Sequence, residues 1–463
     1  MTTRRLSAQD AAFIYGESQR IPLHVGGLGL IEGAPLRNAN GCLDIARIRA
    51  SMQQRLHLVP VFRQKLTEVP LDGGRPLWVD DPGFRIERHV HATAVPKPGG
   101  HRELMQLFGR LQATMLDRNK PLWEFYFVDG LEGDEVAVIA KVHHAMVDGT
   151  SGVELGTLLF DMTPEGTEIE APAWQPEPAP SRLDLAARSA AEHTRDFIRR
   201  TGNVARAVRS PSRPASSLWK FAKAMGSMAT GFDPLPFNGK VGSRRCYDVV
   251  EMPFDEVKQA KSAFGVTVND VALAAVTSAL RAWCEHRGLD PDEAGRIKAL
   301  CPVDQRAPGD KELGSKVSAM LVDLPIDQAS PRERVLRVSE RSRDLKTGGV
   351  AEGANMWDRM NSLLPTALLR ATSMLQFRGL MAQGNLLVSN VRGPSVPFYA
   401  FGGKVRSFFP YFGVQDGLGL NVVLFSYAGK MLLGVASDPD LMPDADVFVE
   451  CLRKGFGELA SAI

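Results

Sequence analysis

Hydrophobic positions along this chain follow two periods that take turns. Apolar residues at every second position, or in short unbroken runs, predict strands at 24–33 (HVGGLGLIEG), 135–144 (EVAVIAKVHH), 245–254 (RCYDVVEMPF), 296–306 (RIKALCPVDQR) and 318–326 (SAMLVDLPI). The same signal recurs at 384–394 (GNLLVSNVRGP) and across 417–438 (GLGLNVVLFSYAGKMLLGVASD). Spacing of three and four predicts helices at 44–59, 102–116, 152–162, 268–288 and 331–346, with a closing helix from Asp444. Residues 76–91 read as extended. Strands and helices therefore interleave twice, which predicts an α/β fold in two units, 1–162 and 244–463.

The segment between the units, 163–243, breaks both periods. It opens with Pro164, Pro172, Pro176, Pro178 and Pro180, a density that suits an extended linker and neither helix nor central strand. Between 181 and 230 ten Lys/Arg face three acids, locally +7, in a largely helical pattern that carries Phe197, Ile198, Val204 and Val208. Such a connector is expected either to lie on an anionic membrane surface or to pack as a solvated helix. Over 463 residues the net charge is only +2, so no global basic field points to nucleic acid. Five scattered cysteines without a CxxC pair suggest neither a zinc knuckle nor a disulfide framework, and fit a reducing cytoplasm. The N-terminus has no apolar stretch behind its arginines, and no run reaches the roughly 18 apolar residues of a membrane span.

Candidate chemistry concentrates in KVHHAMVDGT, 141–150. Three readings are open: a metal site, a general base with its supports, or a plain strand end running into an Asp-Gly turn. On a strand His144 shares a face with Val142 and Ala140, and His143 shares one with Lys141, so one ion does not easily take both rings. A strand end followed by a turn does offer a single imidazole to a cleft, with Asp148 free to brace the loop and Gly149 free to take an unusual backbone conformation. Elsewhere, Thr267 and Asp270 have capping-box spacing, which leaves Asn269 unassigned. Pro121, Leu122 and Trp123 read as structural support before a strand. Ser389 or Asn390, at a strand end, can supply a hydrogen bond to a developing oxyanion. The chain has no GxSxG elbow, and Cys301 is the one thiol considered as a nucleophile, a weak candidate.

The string HHAMVDG resembles the HHxxxDG motif of the acyltransferase superfamily that includes chloramphenicol acetyltransferase and nonribosomal condensation domains. LSAQDAAFIYGE, PLHVGGL, DRNKPLWEFYFVDGL, GVTVNDVALA, PVDQR, SNVRGP and LNVVLFSYAG, in that order over nearly the whole chain, resemble the bacterial wax ester synthase/diacylglycerol acyltransferase family. The resemblance implies two chloramphenicol acetyltransferase-like domains with mixed sheets and an active site between them. It implies transfer of an acyl group from acyl-CoA, as substrate and not cofactor, to diacylglycerol or a long-chain fatty alcohol. His144 is then the general base and His143 its support, with no metal, no other cofactor and no covalent acyl-enzyme. The family treats the Asn269–Asp270 pair as functionally important, read here as shaping the cleft. Arg306 resembles the arginine that pairs with the motif aspartate, so Asp148 is expected to point behind the strand toward it. A cytoplasmic protein held peripherally on the inner face of the membrane or on lipid inclusions is the matching expectation. A condensation-type or polyketide-linked acyltransferase, and a non-catalytic lipid-surface protein, are the alternatives.

Overall fold

The computed structural model describes residues 3–70, 74–146, 159–167, 169–181, 231–304, 317–347 and 383–463, with short pieces at 156, 183–185, 187 and 379. In chain order the first half carries β1 (Arg4–Arg5), α1 (Ala8–Gly16), β2 (His24–Glu32), α2 (Ile45–Arg55), β3 (Gln64–Thr67), β4 (Leu77–Asp80), β5 (Val90–Ala94), α3 (His101–Ala113), β6 (Trp123–Asp129) and β7 (Glu135–His143). The second half carries β8 (Cys246–Pro253), α4 (Phe254–Phe264), α5 (Val268–His286), β9 (Ile297–Asp304), β10 (Val317–Leu324), α6 (Pro331–Thr347), β11 (Leu386–Arg392), β12 (Tyr399–Ala400), β13 (Gly403–Phe412), β14 (Leu420–Tyr427), β15 (Lys430–Ser437) and α7 (Ala445–Ser461). The strands form two six-stranded mixed sheets, β12-β13-β2-β7-β6-β5 and β10-β9-β11-β14-β15-β8, and a small β1-β4-β3 sheet.

The two sheets do not respect the division by chain order. β12 and β13, deep in the second half, complete the sheet of the first half, β13 pairing antiparallel with β2 from Val405↔Ile31 to Phe412↔Val25. The sheets therefore do not follow the compositional boundaries at 162 and 243. The reason β13 was illegible is local: Pro410 interrupts GKVRSFFPYF, and a proline lacks a ladder donor. Close approach at this seam explains the glycine-rich β2. A Cβ on Gly26 (φ +156°) would sit 2.0 Å from the Ala140 carbonyl oxygen of β7, and one on Gly27 would meet the Phe409 carbonyl of β13 at 2.4 Å.

Further contacts tie the two large sheets and the elements beside them. Arg20 makes a bidentate pair with Asp416 at 2.6 and 2.8 Å, Tyr247 donates its hydroxyl to the Pro410 carbonyl at 2.9 Å, and Phe108 on α3 stacks on Tyr247 at 4.0 Å. The apolar core of the first half accordingly runs on through Tyr247, Tyr427 and Leu432. A second core lies under α5, α6 and α7 on one face of the other sheet, and Cys301 is buried in it. That placement removes Cys301 from the cleft side and, with it, from nucleophile chemistry.

The proline-rich segment carries neither helix nor strand over its described residues, and it is laid across the first half. Arg63 sits over the Trp174 ring at 4.6 Å, the Glu177 N–H reaches Asp80 at 3.1 Å, and Leu185 is buried with Val69, Leu77 and Val79. Just before it, Asp161 forms a buried pair with Arg55 at 2.6 Å. The basic stretch beyond, with its membrane expectation, lies outside the described residues, and so does the predicted helix at 152–162 apart from its end. Among the described residues no single helix is long and apolar enough to cross a membrane.

Candidate active site

β7 ends at His143, and His144 opens a one-turn 3-10 helix, His144–Met146. The strand-face argument therefore holds only as far as His143. Two backbone bonds fix the end of the strand: His143 N–H donates to the Leu122 carbonyl and His144 N–H to the Leu23 carbonyl, each at 2.9 Å. The first bond gives the Pro121–Trp123 stretch its place. Leu122 and Trp123 are fully buried, Trp123 Nε1 donates to the Phe62 carbonyl at 2.8 Å, and its ring stacks on His89 at 4.5 Å. These residues hold the strand that carries the histidines.

The rings of the pair diverge. His143 is wholly buried and faces His24 across the β2–β7 register, with Glu17 between them. Glu17 Oε2 lies 3.4 Å from His143 Nε2, and Oε1 lies 3.4 Å from His24 Nε2. Arg118 holds the same carboxylate at 2.9 Å, and the Leu23 N–H adds a bond at 3.2 Å. Burial alone would raise the Glu17 pKa, but the two histidines outweigh it and keep the carboxyl well below the usual carboxylate range. Burial pushes His24 down to about 4, against the pull of Glu17. Lys141, two residues before His143 on the same face, is pushed down to about 8 by burial, opposed by Glu124 and Glu17.

His144 is only half-buried and sits between apolar walls. Its ring stacks on Phe13 of α1 at 3.8 Å with a 17° tilt, and meets Phe412 at the end of β13 edge-on at 5.8 Å. Burial pushes its pKa down to about 4, with His143 adding to the effect and the ring's own main chain opposing it. Nδ1 is buried without a regular hydrogen-bond partner. A neutral imidazole in such a place can accept a proton from a hydroxyl brought alongside it.

Phe412 leads to the other half. It packs on Leu300, Leu387, Leu418 and Val423, a face of the second sheet opposite to its helix-covered core. Ser389 pairs with Val423 and follows Leu387 by two, so it shares this face. Asn390 follows Val388 and belongs to the opposite, helix-covered face. Neither hydrogen-bonds to His144. Asp270 closes the capping box with Thr267 (Thr267 N–H to Asp270 at 2.9 Å, Asp270 N–H to Thr267 Oγ1 at 3.2 Å) and accepts from Ser339 of α6 at 3.2 Å. Asp270 is thus engaged in joining α5 to α6, with half-buried Asn269 beside it, and among the described residues no hydrogen bond links either to the histidines. Asp148, Gly149 and Arg306 lie outside the described residues.

Sequence reading missed Phe13, Glu17, His24 and Arg118. Only the string LSAQDAAFIYGE pointed toward the first two, and nothing local marks a glutamate as the partner of a histidine more than a hundred residues away.

Comparison with known proteins adds three findings. Residues 6–272 match the wax ester synthase/diacylglycerol acyltransferase catalytic domain, and residues 313–460 match the C-terminal domain of the same group. Two proteins of Mycobacterium tuberculosis that bear the name diacylglycerol O-acyltransferase are each 31% identical. One aligns over 97% of this chain and 89% of its own length, the other over 95% and 92%. Among solved structures, the wax ester synthase/diacylglycerol acyltransferase of Marinobacter aquaeolei VT8 superposes with a TM-score of 0.67 at 23% identity, covering 98% of both chains. The first condensation domain of the calcium-dependent antibiotic synthetase superposes at 0.61 with 17% identity, covering 100% of this chain and 97% of its own, which is a likeness of fold.

Proposed function

Because the chain belongs to the wax ester synthase/diacylglycerol acyltransferase family, we propose that His144 is the general base by which it esterifies a lipid alcohol from acyl-CoA. The protein is an acyl-CoA-dependent O-acyltransferase of this group; its acceptor and the roles of individual residues are the proposal. In the step proposed, Nε2 of His144 takes the proton of the acceptor hydroxyl as its oxygen attacks the thioester carbonyl carbon. The carbon–sulfur bond then breaks, and the imidazolium returns that proton to the departing CoA thiolate. Ester and CoA are the products, and no residue is acylated on the way.

One observation carries the assignment: a neutral, half-buried imidazole at a strand end, with one nitrogen enclosed and its ring held between Phe13 and Phe412. The apolar surroundings support a lipid substrate, since Phe412 joins the His144 ring to the buried cluster of Leu300, Leu387, Leu418 and Val423. Diacylglycerol is the acceptor favoured by the names of the mycobacterial relatives, with a long-chain alcohol as the second. Such substrates reside in membranes and lipid inclusions, so peripheral attachment on the cytoplasmic side belongs to the same proposal. The purified full chain, given palmitoyl-CoA with diolein and with hexadecanol in separate reactions, should yield triacylglycerol or wax ester on thin-layer chromatography. Release of CoA with no ester from either acceptor would overturn the proposal.

A further inference from the structure

The bond that closes the turn after His144 settles a question of tautomer. Ala145 N–H donates to Nδ1 of His143 at 3.0 Å, so Nδ1 presents a lone pair. On a neutral ring the proton must then sit on Nε2, the nitrogen that faces Glu17 Oε2 at 3.4 Å. That spacing is longer than the roughly 2.7–3.2 Å of a strong hydrogen bond, but both side chains are buried and the carboxylate can only accept. Glu17 is itself fixed by Arg118 and by the Leu23 N–H, and it caps α1, whose Phe13 forms the stacking wall of His144.

We propose that Glu17 is a positioning residue: it keeps the proton of His143 on Nε2, so that Nδ1 holds the Ala145 N–H and the turn presents His144 correctly. Moving that proton to Nδ1 would set two N–H groups against each other at about 3 Å, and the 3-10 turn would open. His143 is thus the middle of a chain from Glu17 to Ala145, and not a second base. The inference rests on the reading of His144 as the base, and its test has a readout that does not depend on activity.

The experiment has two arms. In the full-length protein labelled with 15N-histidine, His143 is assigned by its loss in His143→Asn. The native spectrum should show it as the neutral Nε2–H tautomer, and Glu17→Gln should shift it toward a mixture. Nδ1–H or cationic His143 in the native protein overturns the proposal even if Glu17→Gln does not fold, and an unchanged tautomer in a folded Glu17→Gln does so too. The second arm is kinetic. The Oδ1 of Asn at 143 can accept the Ala145 N–H without any tautomer to set, so His143→Asn should keep far more turnover than His143→Ala. Glu17→Gln should lower kcat about tenfold at little changed KM in the native background, and less than about twofold in the His143→Asn background. Equal losses in both backgrounds overturn the proposal. Full activity of His144→Ala would instead reject the base assignment and leave the tautomer result to judge Glu17.

Discussion

Replacing Phe13 with leucine should move the acid limb of activity. A histidine base works only when unprotonated, so kcat/KM, which reports the free enzyme, falls as pH drops through its pKa. Burial against Phe13 and Phe412 pushes His144 down to about 4. At pH 5.5 such a ring is about 97% neutral, whereas one at the ordinary value near 6.5 is only about 9% neutral, roughly a tenfold difference in active enzyme. Leucine keeps much of the phenylalanine volume and so avoids most of the roughly 3–5 kcal/mol of a Phe→Ala truncation. Its narrower side chain still uncovers one face of the imidazole to water, and the pKa should rise by about one unit. Initial rates of CoA release at low palmitoyl-CoA, taken from about pH 3.5 to 8, cover the acid limbs of both proteins. Circular dichroism must accompany them, because burial holds His24 and His89 near 4 as well. Groups whose folded pKa is depressed make stability fall as pH drops from about 6.5, where the unfolded chain takes up protons, toward 4. A native limb already at 6.5, or identical limbs in the two proteins, would refute the reasoning.

Asp161→Asn should leave Arg55 buried and uncompensated, both side chains being only 7% exposed, and lower stability by about 3–5 kcal/mol in chemical denaturation. Trp123→Phe keeps an aromatic ring but orphans the Phe62 carbonyl, so the denaturation midpoint should fall by the equivalent of about 1–3 kcal/mol while kcat stays within about threefold. Thr267→Ala removes the cap of α5 and should lower stability by about 1 kcal/mol, again by denaturant titration, with kcat unchanged, since the cap lies on the helix-covered side.

What the sequence made legible was what repeats locally. The alternation of EVAVIAKVHH became β7, the Thr267/Asp270 spacing became a capped helix, and the strand signal across 417–438 became β14 and β15. β13 escaped because Pro410 masks its pattern and because its partner β2 lies nearly four hundred residues earlier. α1 escaped because nine residues with a weak amphipathic pattern give little periodic signal. The site divides in the same way. His143 and His144 stood out as a motif, while Glu17, His24 and Phe13 acquire meaning only when folding brings α1 and β2 against the end of β7. Asp270 closes the cap that its spacing to Thr267 suggests.

The most direct test of the account is a rapid-quench single turnover of folded His144→Ala with radiolabelled palmitoyl-CoA and diolein or hexadecanol, following label in ester and in protein. General-base transfer by His144 predicts an ester-forming rate lowered by about 10²–10⁴-fold and no labelled protein at any time in either the native enzyme or the variant. Ester formation within a few-fold of the native rate, or label appearing on the protein before it appears in ester, would contradict it.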